Sequence, residues 1–193
     1  MDIETTFREC AALLDGHFIL SSGLHSNRYL QAARVLQYPR RAEEAGRELA
    51  ALIDQEVDVV IGPALGGVVI AHDVGRALGV RTMFTERVDG CMELRRGFEL
   101  EPGERVVIVE DVVTTGGSIR EVAEGVRARG ATLVCFAALI GRRGGGAQLP
   151  APLRALGNID VATYDPADCP LCREGIPAVK PGSRSLTAGG GGA

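Results

Sequence analysis

Four apolar, largely β-branched runs divide the middle of the chain and alternate with segments patterned at helical spacing. The runs are "VDVVIG" from Val57, "VRTMF" from Val80, "RVVIVED" from Arg105 and "TLVCFAALIG" from Thr132. Ahead of the first, Ala42, Ala45, Leu49, Leu52 and Ile53 recur among charged residues, which predicts a helix from Arg40 to Ile53. A second helical stretch runs to about Leu78, and a third runs to Arg129, where Gly130 ends it. An N-terminal helix is expected to about Leu14, followed by "GHFILSSGLHSNRYLQ", whose partial alternation suggests a short sheet or hairpin outside the repeats. Strands that are apolar without interruption are buried on both faces, and helices between them return each strand in parallel. The expected fold is therefore α/β, a mostly parallel sheet flanked by helices. With 193 residues, 46% of them hydrophobic, the chain can bury one full core.

Composition narrows the partners. The net charge of −4 is small and the basic residues are scattered, which argues against a nucleic-acid or membrane surface while leaving room for a small anion. The longest apolar stretch, Val59 to Ala71, is interrupted by Gly62, Pro63, Gly66 and Gly67 and is too short for a bilayer. The acidic start "MDIETTF" lacks a signal-peptide core, so a cytoplasmic location is expected. Five cysteines, an odd number with Cys10, Cys91 and Cys135 in regular segments, do not form a secreted disulfide framework. Cys169 and Cys172 form "CPLC", read as two thiols in a tight turn. Zinc would need four ligands, and no nearby His or Cys supplies the rest within the chain, although two chains could each give a pair. His17, His25 and His72 are expected to be satisfied or solvent-facing.

In parallel α/β sheets the loops beyond the carboxyl ends of the strands bind ligands. The richest is "VVIVEDVVTTGGS", Val106 to Ser118, in which a buried strand ends in two acids and a run of small hydrogen-bonding residues. Thr114, Thr115, Gly116, Gly117 and Ser118, placed at a helix start, offer hydroxyls, backbone N–H groups and partial positive charge, a cradle for phosphate. No Lys follows the glycines as in a Walker loop, and GxGxxG spacing is absent. Glu110 and Asp111 would repel a phosphate but suit the hydroxyls of a ribose. A second loop, "GPALGG" at Gly62 to Gly67, has small residues that would let its backbone approach a diphosphate.

The acid pair and phosphate loop resemble the phosphoribosyl diphosphate signature of the type I phosphoribosyltransferases. Three further segments are similar to orotate phosphoribosyltransferases in particular. "GHFILSSGLHSNRYLQ" resembles the family's hood segment, "FTERVDGCMELRRGFEL" its mobile catalytic loop, and "GRRGG" the place of an arginine for the orotate carboxylate. "CPLCREGIPAVKPGSR" is similar to the C-terminal segment of one subgroup. The resemblance covers nearly the whole chain. It implies a single type I phosphoribosyltransferase-like domain over 1–193, with an N-terminal helix and hood segment at 1–38, an α/β core at 39–142 and a C-terminal segment at 143–187 completing a small N-terminal/C-terminal hood, while the low-complexity glycines, outside the resemblance, predict a disordered end at 188–193.

The resemblance also implies roles. Glu110 and Asp111 would hold the ribose hydroxyls and stabilise charge at the anomeric carbon, with Arg87 as the catalytic-loop cation. Phosphoribosyl diphosphate would meet Glu110, Asp111, Val112, Val113, Thr114, Thr115, Gly116, Gly117 and Ser118, with Arg87, Ala64 and Leu65 on the diphosphate side. Orotate would meet Thr114, Arg142, Tyr29 and Leu30, the Arg142 fork matching its carboxylate. Mg²⁺ is expected as cofactor, held mainly by substrate oxygens and water and not by a protein cage. A homodimer sharing the loop between subunits is implied.

The chain departs from the family in two places. Many members carry a Lys in the hood where this chain reads "LSSG", and a Lys/His cluster in the loop where it has Arg87, Arg95 and Arg96. The alternatives are a purine phosphoribosyltransferase and a non-catalytic regulator that senses phosphoribosyl diphosphate. The first would share the phosphate loop without the hood or the Arg142 position, and the second would add a DNA-binding module for which no segment is spare.

Overall fold

The computed structural model describes residues 1–20, 22–141 and 149–181. They fall into two compact units, one of Met1–Leu13 with Leu30–Asp160, the other of Leu14–Tyr29 with the chain from Val161 onward.

The first unit opens with α1 (Ile3–Glu9), capped by Asp2, whose carboxylate accepts from the Glu4 and Thr5 N–H groups. This helix is shorter than the apolar spacing suggested. Cys10 closes it, and Ala11 turns the chain at φ 49° before Leu13 enters β1 (Leu13–Ile19). Next in order come β2 (His25–Leu30), α2 (Ala33–Leu36), α3 (Pro39–Ala51), β3 (Val59–Pro63), α4 (Gly66–Leu78), β4 (Arg81–Val88) and β5 (Cys91–Leu94). The chain continues through β6 (Arg105–Val113), α5 (Gly117–Ala128), β7 (Thr132–Gly141) and β8 (Leu153–Asn158).

Six strands of this unit form one sheet in the order β5-β4-β3-β6-β7-β8. All adjacent pairs are parallel except β4 with β5, which form an antiparallel hairpin turned by Asp89 and Gly90, both at positive φ. The parallel α/β expectation holds, and β8 extends it past the runs visible in sequence. Burial explains the sheet. Val59, Ile61, Val106, Ile108, Phe136 and Ala138 point to one face, where Ile119, Val122, Ala123 and Val126 of α5 cover them. The alternate residues Val60, Val107 and Val109 are as fully buried, and α4 lies against β3 and β6.

Strand order sets the place of the site. From β3 the chain builds outward through β4 and β5, then crosses back and builds the other way through β6, β7 and β8. The loops leaving β3 and β6 therefore diverge from neighbouring strands, a topological switch point.

The second unit is a three-stranded sheet in the order β1-β2-β9, where β9 (Thr163–Tyr164) runs antiparallel to β2, and it continues through a 3₁₀ turn at Pro166–Asp168 into α6 (Pro170–Arg173). Phe18 bridges to Val179, which brings the chain after α6 alongside β1. No helix among the described residues is long and apolar enough to cross a membrane.

Candidate active site

β6 carries the paired acids to its carboxyl end. Its first half, Val106 to Val109, is fully buried between the covering helices, and the partial exposure begins at Glu110. A strand of this kind delivers Glu110 and Asp111 at fixed depth, with neighbouring side chains pointing to opposite faces. Asp111 Oδ1 accepts from the Val112 N–H at 2.7 Å, and Glu110 Oε1 accepts from the Asp111 N–H at 3.1 Å. Each carboxylate is therefore anchored by the backbone N–H of the residue that follows it.

The start of α4 closes against these acids. A Cβ on Gly66 would lie 2.5 Å from Asp111 Oδ2, and one on Gly67 would lie 2.8 Å from the Val109 carbonyl oxygen and 3.2 Å from Glu110 Oε1. Only glycine lets the first turn of α4 approach this far. In return, the helix start brings partial positive charge to the Asp111 carboxylate. Burial raises the Glu110 carboxyl well above the usual carboxylate range and the adjacent Asp111 raises it further, while burial also raises Asp111. Both shifts run toward the protonated form, because two like charges this close and this poorly solvated disfavour each other.

The phosphate-loop segment continues from the strand. Val113 ends β6 with its side chain in the core, and Val112 points its N–H at Asp111, so these two can serve a ligand through little beyond the backbone. Thr114 and Thr115 are exposed, and Gly116 turns the chain at φ 74° into α5. No side chain caps that helix, so its opening N–H groups at Gly117 and Ser118 have no side-chain acceptor. Two helix starts, those of α4 and α5, thus flank one acid pair at the switch point.

On the other loop, the Ala64 N–H donates to the Thr85 carbonyl at 2.7 Å and is committed to the sheet. Leu65 is 83% exposed, and its N–H has no partner among the described residues. The Ala64–Leu65 peptide is cis.

The loop arginines differ. Arg87, on β4, donates to Glu121 of α5 at 3.1 Å and to the Gly90 carbonyl. Arg96 makes a two-pronged contact with Glu86, at 2.8 and 2.9 Å, over the Phe84 ring. Arg95 is exposed, and its carbonyl accepts from the Phe98 N–H at 3.0 Å. Tyr29, in the second unit, packs its ring at 5.8 Å from that of Phe18, and Leu30 is half-buried at the end of β2. Arg142 lies outside the described residues.

His17 and His25 are buried and hydrogen-bonded, in keeping with the expectation that each is satisfied or solvent-facing, whereas the expectation that no His or Cys of the chain completes "CPLC" is corrected. The His17 and His25 rings bond each other at 2.8 Å, and Cys169 and Cys172 lie against them. His72 is exposed, as anticipated.

The phosphoribosyl transferase domain family matches residues 32–151. An orotate phosphoribosyltransferase from Pelotomaculum thermopropionicum is 53% identical over 186 residues, spanning 96% of this chain and 98% of its own length. One from Thermotoga maritima is 50% identical over 185 residues, spanning 95% and 99%. Among solved structures, orotate phosphoribosyltransferase from Aeropyrum pernix superimposes with a TM-score of 0.69 at 26% identity, covering 82% of this chain and 94% of that one.

Proposed function

The chain belongs to the orotate phosphoribosyltransferase family, and from that premise we propose how its own residues carry the transfer. The reaction moves the ribose 5-phosphate group of 5-phosphoribosyl 1-diphosphate to orotate and releases diphosphate, a step of pyrimidine synthesis that yields orotidine 5-monophosphate. The observation that carries the assignment of residues is the Glu110–Asp111 pair, half-buried at the end of β6 between the starts of α4 and α5.

In this reading the 5-phosphate sits on Thr114, Thr115, Gly116, Gly117 and Ser118, where backbone donors and the helix start complement its charge. The acids take the ribose 2- and 3-hydroxyls as hydrogen-bond partners. As the bond from the anomeric carbon to the diphosphate oxygen breaks, positive charge grows on the ribose, and the poorly solvated carboxylates stabilise it more than they stabilise the neutral ground state. The diphosphate leaves with the bonding electron pair, a ring nitrogen of orotate supplies the pair for the new bond, and the proton of that nitrogen passes to the departing diphosphate. No protein base is required for an electron-rich pyrimidine anion. The diphosphate meets the Leu65 and Gly66 N–H groups, with Arg87 as the loop cation once it exchanges Glu121 for the diphosphate. Arg142 is proposed to hold the orotate carboxylate through two parallel N–H donors, and Tyr29 and Leu30 to contact its ring.

The residues present fit Mg²⁺ brought in by substrate. Glu110 and Asp111 are hard oxygen donors, and no third carboxylate, His or Cys gathers with them among the described residues. They would face the ion through the ribose hydroxyls that they hold. When bound, Mg²⁺ neutralises charge on the leaving diphosphate. We further propose a homodimer in which the β4–β5 hairpin serves the neighbouring subunit. Five unpaired cysteines suit a reducing compartment, and hence the cytoplasm.

The reading is tested by following absorbance with phosphoribosyl diphosphate and Mg²⁺, offering orotate beside adenine, hypoxanthine, guanine, xanthine and uracil. Turnover confined to orotate is expected. Turnover of a purine alone would replace the base assignment, and tight binding of phosphoribosyl diphosphate without turnover would favour a sensor.

A further inference from the structure

Within the second unit, four side chains that the transfer does not use converge on one point. His17 comes from β1, His25 from β2, Cys169 from the residue before α6, and Cys172 from inside it. One nitrogen or sulfur from each lies within 4.8 Å of all the others. His17, His25 and Cys169 are buried, 3%, 9% and 1% exposed. We propose that these four side chains form a structural zinc site.

The distances have the scale of a coordination shell. Zinc bonds of about 2.3 Å to sulfur and about 2.1 Å to nitrogen, set at the tetrahedral angle, hold a sulfur and a nitrogen about 3.6 Å apart. Here Cys169 Sγ is 3.5 Å from His17 Nε2, and Cys172 Sγ is 3.8 Å from His17 Nε2 and 3.3 Å from His25 Nδ1. The two nitrogens, at 2.8 Å, need to separate by only about half an ångström to reach the same geometry.

The backbone around the cluster prepares the ligand atoms. His17 Nδ1 lies 2.7 Å from the Ile176 carbonyl oxygen. An oxygen can only accept, so the ring proton belongs on Nδ1, which leaves the Nε2 lone pair, now facing His25 Nδ1 at 2.8 Å with the two sulfurs beside it, for a metal. The carbonyl that fixes this tautomer is itself held. The Val179 N–H donates to the His17 carbonyl and the Ile19 N–H to the Val179 carbonyl, pinning the segment after α6 along β1. On the other side, His25 is registered against Tyr164 of β9.

Chemistry selects the metal. Two thiolates and two imidazoles in a tetrahedron favour zinc over hard cations, which prefer oxygen. Two thiolates cancel the charge of the ion, so the buried site is neutral, and two thiol protons leave for each zinc bound. Four protein ligands leave no position for a reacting water, so the role is to hold structure. The need is plain from size: this unit has few residues and little core, and units so small usually depend on a metal or disulfide. His17 and Cys169 are 152 residues apart, so the ion would tie the C-terminal segment to the N-terminal hairpin.

The test is metal content and cobalt spectroscopy on the full chain, purified without chelator and with thiols reduced. About one zinc per chain is expected. Replacement by Co²⁺ should give the intense visible bands of tetrahedral cobalt and a thiolate-to-cobalt charge-transfer band. Cys172→Ser, at an exposed position, should lose the charge-transfer intensity in part and weaken zinc binding by about tenfold or more. Cys91→Ser, an exposed cysteine elsewhere, should change neither. The idea is overturned if reduced wild-type chain supplied with zinc retains none, if iron occupies the site instead, or if cobalt shows no thiolate band. Because the wild-type cobalt spectrum decides by itself, a variant that fails to fold leaves the test intact.

Discussion

The Asp111 carboxylate packs against Gly66 so closely that a Cβ there would lie 2.5 Å from its Oδ2. The first turn of α4 and the end of β6 therefore share one space, and the side chain of residue 66 must be absent for the acid to keep its position. Gly66→Ala should lower kcat/KM by about a hundredfold, since an ångström of displacement at a reacting centre costs that much. Thermal unfolding of the variant should change far less than its steady-state rate.

Gly116 turns at φ 74°, and a Cβ on it would also press to 2.8 Å from Leu149 Cδ2. Gly116→Ala should cost about 1–2 kcal/mol from backbone conformation alone. If the loop is the phosphate cradle, KM for phosphoribosyl diphosphate rises as well. Denaturant unfolding beside initial rates separates the two effects.

The acids give stability a distinctive pH dependence. Glu110 has a folded pKa raised above its unfolded value, so over the range between them the folded chain holds a proton that the unfolded chain has lost. Stability from this group is present at low pH and declines as pH rises above the ordinary carboxylate range until Glu110 ionises. Asp58 has the opposite sign. Arg105 holds its carboxyl well below the usual range, so its contribution is present at neutral pH and is lost on acidification. Ligand-free Glu110→Gln should therefore gain Tm relative to wild type between pH 5 and pH 8 (about one unit above the ordinary carboxylate range and well beyond it). Parallel melting curves would show that Glu110 is not held protonated.

Arg142→Ala should raise KM for orotate by about 10- to 100-fold, the worth of a charge-assisted, two-pronged contact, with little change in KM for phosphoribosyl diphosphate. Equal effects on both substrates would assign Arg142 a different role.

What could be read from the sequence follows from how far apart the relevant residues lie. The strands of the sheet centre show as apolar runs because both of their faces are buried, and the acid pair and phosphate loop are contiguous between Glu110 and Ser118. β8 carries no such run because it lies at the sheet edge, half-buried, and its "LRALGN" mixes Arg154 with apolar residues. The N-terminal helix ends earlier than the spacing predicts because Leu13 and Leu14 extend the helical spacing past Ala11, where the backbone turns. Of the His/Cys cluster only the "CPLC" half has a local signal, since 152 residues separate His17 from Cys169 and only the folded second unit joins them. The partner of Arg87 was equally hidden, because Glu121 reaches it from α5, across the fold.

The central claim is that the acids at the end of β6 serve the transition state more than substrate binding. Steady-state kinetics of Asp111→Asn with orotate, phosphoribosyl diphosphate and Mg²⁺ tests it most directly, with thermal melting to verify the fold. The expected result is a kcat lowered by about 10²–10³-fold, the scale for removing a preorganised electrostatic contact, with KM for phosphoribosyl diphosphate moved by less than about threefold. An unchanged kcat with a raised KM would contradict it, and would make Asp111 a ribose-binding residue only.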